Sequence, residues 1–484
     1  MSISSSLSNA LSGLGAAARA AELVSANVAN ALTEGYARRT LELSSRSLAG
    51  NGVGVKIDGV ARQVDVTVLA DRRQADARLA DAAVASDFLT DLEAAIGAPD
   101  TPNGLGGRIT GLESALISAS SQPASDQRLT EVLRAGRALA GKFANIATMI
   151  QSARAGADAQ IGRDVQTVND ALTRIDDLNK DITVSLSRGA DATGLMDQRQ
   201  RQIDRISPLI PLREVARENG RVALYTPNGA ALLDGSVSIL GFTAIRAVTA
   251  AMTLASGGLS GLTLNGQPMT LSGPDNKFEG GRLSALFALR DETAPAVQTE
   301  LDALARDLVE RFEDPATDPT MAGGAGLFTD AGGKFDPLTE VGLSFRLAIN
   351  PAADPDAGGQ LRLLRDGLGS ATAGPVGDAT QLGRLADALR ASRVPASGQF
   401  STGPRTAFGL SADFLGATGG TRQAALANES YAAARHDTMT KLELENGVDT
   451  DQEMSSLLLI EQAYAANAKV ISVVDEMMQT VLRM

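Results

Sequence analysis

Both ends of the chain carry apolar residues at helical spacing, over about residues 4–31 and again over about residues 450–483. The steps alternate between four and three, and an average of about 3.5 keeps one seam of a helix facing a partner. We therefore predict two long terminal helices that pack on each other or on neighbouring copies. The seam positions are Ile3, Leu7, Ala10, Leu14, Ala17, Ala21, Val24, Val28 and Ala31 in the first helix, and Leu457, Ile460, Tyr464, Asn467, Ile471, Val474, Met478 and Val481 in the last.

Between these helices the spacing of the apolar residues changes several times along the chain. Short alternating segments flank Gly50-Asn51-Gly52 and predict a β-hairpin over about 41–57. Residues 212–277 are rich in Thr, Gly and Val with frequent turn residues, which favours short strands. The remaining periodic segments predict helices over about 65–96, 125–186, 193–206, 282–312 and 422–445.

The predicted fold is α+β and mostly helical, with coiled-coil-like terminal helices and a long-helix framework that carries β-rich inserted domains. A chain of 484 residues is too long for one ordinary core, so several domains are expected. The predicted division is a terminal core helix (1–35), a helical framework with a hairpin (36–208), a β-rich domain (209–281), a returning framework helix (282–314), a mixed, loop-rich insertion (315–420), a framework helix (421–446) and a second terminal core helix (447–484).

The start of the last helix has the spacing of a capping box. Asn446-Gly447 ends the preceding helix, and Thr450-Asp451-Gln452-Glu453 follows. This spacing predicts Thr450 as the N-cap, with the Glu453 side chain reaching back to it. Asn467 lies on the apolar seam, where a polar residue fixes the register of two helices at some cost in stability.

Composition excludes several classes of function. With 44 Lys and Arg against 57 Asp and Glu, the net charge is −13, which disfavours binding to nucleic acid, as does an aromatic content of 3% without Trp. The chain has no Cys and one His, which excludes disulfides, thiolate catalysis and Cys/His zinc sites. The start MSISSSLSNALSG lacks the pattern of a Sec signal peptide, and no apolar run is long enough to span a membrane.

None of the candidate catalytic motifs has the spacing or the context that its chemistry requires. Gly332-Gly333-Lys334 is followed by Phe335 and lacks the spacing of a phosphate-binding loop. Gly50, Gly52 and Gly54 fit a hairpin better than a dinucleotide site, and His436 is predicted to be a solvated histidine on a helix face. Asp449 and Asp451 are explained as acids at a helix N-terminus. We expect no catalytic, cofactor-binding or metal-binding residues and no enzymatic activity.

Two motifs resemble those of the bacterial flagellar axial proteins, the family of rod, hook and hook-associated proteins. One is Ser25-Ala26-Asn27-Val28-Ala29-Asn30-Ala31 followed by Glu34-Gly35-Tyr36. The other runs from Glu453-Met454 through Gln462-Ala463-Tyr464-Ala465-Ala466-Asn467-Ala468-Lys469-Val470-Ile471 to Asp475-Glu476-Met477. Together they cover both termini.

Other stretches resemble the hook-associated members that join hook to filament. Arg38 and Arg39 after Tyr36 are similar to that group, whereas rod and hook proteins tend to continue with Phe. The resemblance extends to the middle of the chain and is weak from about 314 to 420. The internal motifs are Leu195-Met196-Asp197-Gln198-Arg199 with Ile203-Asp204, Leu232-Leu233-Asp234-Gly235, Gly280-Gly281-Arg282-Leu283 and Leu289-Arg290-Asp291-Glu292.

The resemblance implies export through the flagellar type III apparatus and an extracellular place at the hook–filament junction. The resemblance also implies polymerisation into a ring of about eleven copies. It also implies contacts with the hook protein and a second hook-associated junction protein, and an export chaperone on the C-terminal helix. The expected interface residues are Leu7, Leu14, Ala21, Val24, Asn27, Val28, Asn30, Gly35, Tyr36, Leu457, Ile460, Tyr464, Asn467, Ile471, Val474, Met478 and Val481.

Two alternatives stay open at this point. The chain could be a hook or distal-rod structural protein, which should lack the long helices over 125–186. It could also be a secreted enzyme or adhesin with a coiled-coil base, whose activity would lie in the region 314–420.

Overall fold

The computed structural model describes residues 3–33, 35–48, 51–273 and 275–483. Glu34 of the first resemblance motif and Gly50 of the predicted hairpin turn lie outside these ranges. The described residues form a mostly helical α+β fold, as predicted.

The chain begins with a helix and a hairpin. Helix α1 covers Ile3–Ala29, and strands β1 (Arg38–Leu48) and β2 (Asn51–Gln63) pair antiparallel. The register shifts between Glu42 and Leu43 and again between Ser45 and Ser47, which marks irregularities of the β-bulge type. The predicted hairpin is confirmed and is longer than the sequence pattern indicated.

Four helices follow and form the framework. Helix α4 has 62 residues and contains no proline, and the Ser125 hydroxyl caps it by accepting a hydrogen bond from the Arg128 N–H. At 1.5 Å per residue it is roughly 90 Å long. The long helix predicted over 125–186 is confirmed. The bounds are α2 Val66–Ile96, α3 Leu105–Ser121, α4 Asp126–Ser187 and α5 Thr193–Ile206.

The predicted β-rich region contains two small antiparallel sheets joined by long loops. Each has three strands in sequence order, and the second is built from strands of two residues. Strand structure is therefore sparser here than the composition indicated. The strands are β3 Arg213–Ala216, β4 Val222–Tyr225 and β5 Ala231–Leu233 in the first sheet, and β6 Leu240–Gly241, β7 Thr263–Leu264 and β8 Gln267–Pro268 in the second.

The returning helix is confirmed, with a π-helical turn in its middle. It consists of α6 (Gly281–Ala288), the π turn (Leu289–Thr293) and α7 (Ala294–Glu313). Arg290 in the turn is fully buried and pairs with the equally buried Asp158 of α4 at 2.6 Å. This pair fixes the returning helix against α4, since a buried charge is stable only when it is paired.

The region 314–406 is loop-rich, but it is not detached from the rest. Its Leu382, Leu385 and Leu389 belong to the same core as α3, α4 and α7. Its elements are β9 Phe328–Asp330, α8 Leu343–Arg346, β10 Leu347–Ile349, α9 Leu363–Asp366 and α10 Thr380–Arg390, with β9 and β10 paired antiparallel.

Within this region the sequence Leu343-Ser344-Phe345-Arg346-Leu347 has a strand-like pattern, yet its first four residues form a helical turn. Buried Asp302 accepts hydrogen bonds from the Gly342 N–H at 2.7 Å and from the Ser344 N–H at 2.9 Å. These bonds fold the backbone around one carboxylate, and Gly342 takes the left-handed conformation that this requires.

Two long helices end the chain, α11 (Ala407–Glu445) and α12 (Thr450–Arg483). The predicted start of α11 at about residue 422 is wrong, because the Thr406 hydroxyl caps the helix by accepting from the Gly409 N–H at 3.0 Å. Leu410 and Phe414 are buried in the core. This packing keeps a glycine-containing stretch helical against its weak propensity.

The predicted capping box at the start of α12 is also wrong. The Asp449 carboxylate caps the helix, accepting from the Asp451 N–H at 2.9 Å and the Gln452 N–H at 3.1 Å. Glu453 points elsewhere and is buried, as described below. An aspartate at the N-cap satisfies the same free N–H groups that the threonine was expected to satisfy.

By length and composition alone, one helical stretch among the described residues is apolar enough to cross a membrane. Within residues 407–483 an 18-residue window has a mean hydropathy of 1.3, and 6% of that window is buried. The prediction counted uninterrupted apolar runs. In α12, polar and charged residues such as Glu461 and Lys469 interrupt the apolar residues, so no long run appears although the average is high.

Candidate assembly interface of the terminal helices

Helices α1 and α12 pack against each other in antiparallel orientation. Asn27, near the end of α1, contacts Glu453, near the start of α12. Gly13 lies beside Asn467, and Leu7 lines a small surface depression with Ile471 and Val474. Of the two arrangements left open by the sequence, the terminal helices thus pair within one chain.

The predicted seam on α1 faces α12 and the hairpin. Val24 and Asn27 are buried, and Ala10 and Ala17 of the same stripe are buried as well. Partial burial applies to Leu7, Leu14, Ala21, Val28, Asn30, Gly35 and Tyr36.

The predicted seam on α12 is at least partly buried from Leu457 to Val474, except at Tyr464, and is exposed beyond Val474. Val474 is 2% exposed. Tyr464 and Met478 are each 43% exposed and Val481 is 61% exposed, so α1 does not cover these three. Leu457, Ile460, Asn467 and Ile471 are partly buried.

Glu453 is the polar centre of this junction. Its side chain is 1% exposed, and it accepts hydrogen bonds from Asn27 Nδ2 at 3.0 Å and from Arg38 Nε at 2.6 Å. One carboxylate therefore joins α1, β1 and α12. No local pattern predicted this role, because the spacing from Thr450 matched a capping box.

Asn27 binds the start of the hairpin as well. Its Oδ1 accepts from the Tyr36 hydroxyl and from the Arg39 N–H, each at 2.9 Å, and its Nδ2 donates to the Arg39 carbonyl at 2.9 Å. Burial raises the pKa of the Tyr36 phenol above its usual value. The side chain of Asn27 thus holds the turn between α1 and β1.

Gly13 permits the close approach of the two helices. A Cβ atom at this position would lie 2.8 Å from both Nδ2 and Oδ1 of Asn467. Asn467 donates to the Ala463 carbonyl in its own helix at 2.9 Å, so its amide fills the space that the glycine leaves. At neighbouring Gly15 a Cβ would have no atom within 4 Å, so this glycine plays no such part.

The hairpin contacts both α1 and the framework. The Val55 N–H donates to the Ser12 hydroxyl at 3.1 Å, and Gly54, at φ +109°, leaves room for that hydroxyl. On the other side, Asp197 of α5 accepts from Arg39 and Arg62, each at 2.8 Å. The motif that includes Asp197 therefore connects the terminal elements to the long helices.

The outer face of α12 is apolar and uncovered. Leu458 is 59% exposed, Leu459 is 65% exposed, and several further large apolar residues are exposed along the helix. Isolated exposed residues of this kind are ordinary, whereas a continuous apolar surface usually marks a contact with another molecule. The further residues are Met454, Val470, Val473, Met477 and Leu482.

The prediction that His436 is a solvated histidine is wrong. Its Nε2 lies 3.3 Å from Oδ1 of buried Asp76, and its side chain is 32% exposed. Asp76 also pairs with Arg72 of α2, which reaches Glu443 of α11 at 2.7 Å. The histidine therefore belongs to a charged contact between α2 and α11. Among the described residues, no group of three or more His, Asp or Glu side chains is placed to hold a metal ion.

Comparison with known proteins agrees with the resemblance. The family model described as "Flagellar hook-associated protein FlgK helical domain" matches residues 89–328. A second, described as "Flagellar basal body rod FlgEFG protein C-terminal", matches residues 445–484. Together the two matches take in more than half of the chain, including α4 and all of α12. These matches make the chain similar to flagellar hook-associated protein 1 in its middle and to the flagellar rod proteins at its last helix.

Individual relatives carry the same name. Flagellar hook-associated protein 1 of Bacillus subtilis is 22% identical over 94% of this chain and 93% of its own length. That of Salmonella typhimurium is 26% identical over 49% of this chain. The match spans 44% of the length of the Salmonella relative, less than half of that protein.

A solved structure of the flagellar hook junction protein FlgK from Burkholderia pseudomallei also matches. Its TM-score is 0.44 at 20% identity, and the match covers 54% of this chain and 47% of the other.

The structure gives physical roles to the internal motifs of this chain. Arg282 forms a two-point contact with Asp164 of α4, at 2.9 and 2.7 Å. Gly281 has φ +75°, and a Cβ there would lie 2.7 Å from the Leu209 carbonyl oxygen. These motif residues position the returning helix on the framework.

Proposed function

We propose that this protein is a structural component of the bacterial flagellum that joins hook to filament. In this proposal α1 and α12 lie together in the axial core, and the apolar outer face of α12 contacts neighbouring subunits. The observation that carries it is the antiparallel pair of terminal helices with that face uncovered. Burying such a face stabilises an assembly by roughly 25 cal/mol per Å² of apolar surface.

The proposed interface comprises the predicted seam and the outer face of α12. Leu7, Leu14, Val24 and Asn27 would hold α1 to α12 within one subunit. The exposed Tyr464, Met478 and Val481 would contact other subunits, together with Leu458 and Leu459. We further propose that the terminal helices form the inner part of the assembly and that the inserted regions face outward. The predicted domain boundaries are kept in this proposal, except the one at 421.

The partners follow from the family. We propose that the protein assembles with itself into a ring, of about eleven copies as the family resemblance implies. It would contact the hook protein on one side and a second hook-associated junction protein on the other. Before export through the type III apparatus, a chaperone would cover the apolar face of α12. We propose no catalytic activity.

A hook or distal-rod protein is the alternative. The 62-residue helix α4 and the match of the helical-domain family to residues 89–328 favour the hook-associated assignment. The secreted enzyme or adhesin is less favoured, since the 314–420 region shares its core with the framework.

The outer face of α12 can be tested in cells. We propose replacing the resident copy by Leu459→Asp, with Glu461→Gln on the same helix as the control. We expect complete hooks, filaments lost and flagellin shed for the first variant, and normal filaments for the second. Normal filaments in a strain that exports Leu459→Asp at the wild-type level would contradict the proposed contact.

A further inference from the structure

A cavity of about 530 Å³ lies between β2, α2, α5 and β3, away from the face of α12 proposed for assembly. Part of its wall is apolar and is formed by Val66, Leu69, Met196, Ile203 and Leu212. The rest of the wall is positively charged, because four arginines line the same space: Arg62 of β2, Arg73 of α2, Arg199 of α5 and Arg213 of β3. The cavity therefore combines an apolar surface with positive charge.

The positive groups are incompletely neutralised. Arg73 is 3% exposed and pairs with Asp204 and Glu214, yet its Nη2 is buried without an acceptor among the described residues. Arg199 is 7% exposed and donates to the Asn179 side chain and the Gly220 carbonyl. No carboxylate of the described residues lies within ion-pairing distance of Arg199. A buried cation with neutral partners retains most of its desolvation cost.

Arg62 adds to this imbalance. It pairs with Asp197, but that carboxylate is shared with Arg39. Burial lowers the pKa of Arg199 to about 10; the charge of Glu214 opposes this shift, and the charges of Arg62 and Arg73 add to it. Asp71 and Glu214 are the two carboxylates in the cavity wall, and Glu214 is already paired with Arg73. An additional negative charge in the cavity would offset the desolvation of these guanidinium groups and their mutual repulsion.

We propose that this cavity binds a carboxylate carried on a short aliphatic stem. The carboxylate would accept hydrogen bonds from the guanidinium groups of Arg199 and Arg62, with the charge of Arg73 behind them, and the stem would lie on Leu69, Met196 and Ile203. Charge-assisted bonds to guanidinium groups favour a planar carboxylate, and the apolar wall favours a stem over a bare inorganic anion. The source is either a free short-chain carboxylic acid or an acidic side chain of a second copy of this chain.

The test uses the full-length chain at low concentration and three probes of matched size or charge. Binding of hexanoate, hexanol and inorganic phosphate is followed by the NMR signals of the arginine Nε–H groups and by thermal stability. We expect hexanoate to bind at least tenfold more tightly than either other probe. Equal binding of hexanol would show a merely apolar cavity, and equal binding of phosphate would show a bare anion site, and either result overturns the proposal.

Two variants separate ligand binding from folding. Arg199→Met removes the unpaired charge and is expected to weaken hexanoate binding at least tenfold. Because Arg199→Met also removes bonds to Asn179 and Gly220, a second variant, Ala70→Phe, adds a ring at the cavity wall and keeps all four arginines. Ala85→Phe, exposed on the same helix and outside the cavity wall, is the control. Undiminished hexanoate binding by a folded Ala70→Phe variant would place the ligand elsewhere and overturn the proposal.

The source of the carboxylate is distinguished by sedimentation velocity. If a second copy supplies it, Ala70→Phe weakens self-association and saturating hexanoate does the same in the wild-type chain. If a free acid is the ligand, self-association is the same for the wild-type chain with hexanoate, the wild-type chain without it, and the Ala70→Phe variant. Both outcomes support the ligand chemistry, and the role of α12 in assembly is measured separately in the Leu459→Asp strain.

Discussion

The carboxylate of Glu453 accepts a hydrogen bond from the amide of Asn27 at 3.0 Å, although the two residues are 426 positions apart in the chain. Arg38 pairs with the same carboxylate at 2.6 Å. This contact closes the chain on itself, because it joins the last helix to the first and to the start of the hairpin. The terminal elements therefore form one unit, with the buried Glu453 carboxylate shared by α1, β1 and α12.

Glu453→Gln keeps the side-chain shape and removes the charge. The amide can still accept from Asn27, but the ion pair with Arg38 is lost. Because Arg38 is 25% exposed and can turn towards water, we expect a loss of about 1–3 kcal/mol in the stability of the terminal unit. Amide hydrogen exchange along α12 measures this. Glu461→Gln, on the exposed side of the same helix, is the control, and equal exchange in both variants would argue against the contact.

Gly13→Ala and Gly15→Ala should have opposite effects. Alanine gains up to about 1 kcal/mol over glycine in a helix, and at position 15 nothing opposes this gain. At position 13 the new methyl group would meet the Asn467 amide at 2.8 Å. We expect Gly13→Ala to be less stable than Gly15→Ala by about 1–2 kcal/mol, within the range for overpacking.

The added change Asn467→Ala checks the cause. Removing the amide should abolish the penalty of Gly13→Ala, which thermal unfolding of the four variants would measure as a coupling energy. Additive effects in this cycle would mean that Gly13 and Asn467 do not meet.

Asp197→Asn should loosen the hairpin from α5. This carboxylate is 5% exposed and pairs with both Arg39 and Arg62, so the change leaves two guanidinium groups without their partner. We expect a cost of about 3 kcal/mol, as for other broken buried pairs. Faster hydrogen exchange in β1 and β2 than in α4 would be its signature. Asp177→Asn, on the exposed side of α4, is the control and should change neither the stability nor the hydrogen exchange of the hairpin.

Stability should fall at alkaline pH because of Tyr36. Burial raises the pKa of its phenol in the folded state above the unfolded value of about 10. Below pH 10 both states are protonated and this residue contributes no pH dependence. As the pH rises above 10, the unfolded state releases its proton first, so the unfolded state is favoured. Denaturant titrations between pH 9 and 11 should show this slope, and Tyr36→Phe should reduce it.

Gly281→Ala should destabilise the returning helix. Its φ of +75° disfavours any side chain, and a Cβ would lie 2.7 Å from the Leu209 carbonyl oxygen. Gly257 has a similar φ of +71° with open space around it, so Gly257→Ala measures the conformational cost alone. We expect Gly281→Ala to lose at least about 1–3 kcal/mol more in global unfolding. Equal losses would mean that the contact with Leu209 is unimportant.

Much of the helical architecture could be predicted from sequence because its signals are local. The 3.5-residue stripe predicted α1 and α12, and the absence of proline with apolar periodicity predicted α4. The bounds of α5 match the prediction at both ends, Thr193 and Ile206. Apolar periodicity works here because each of these helices buries one face.

The errors arose where contacts between distant residues decide the structure. Glu453 fits a capping box locally, but Asn27 and Arg38 bind it in the fold. Leu343 begins a strand-like pattern, but the buried carboxylate of Asp302 folds it into a turn. His436 looked solvated because its partner Asp76 lies on another helix. No periodicity in the sequence reports such partners.

Electron microscopy of a strain that lacks this gene tests the junction role most directly. We expect complete hooks without filaments, with flagellin shed into the medium, and restored filaments when the gene is supplied again. Missing hooks would instead assign the protein to the rod or hook class. Normal flagella in the deletion strain would contradict the axial assignment altogether.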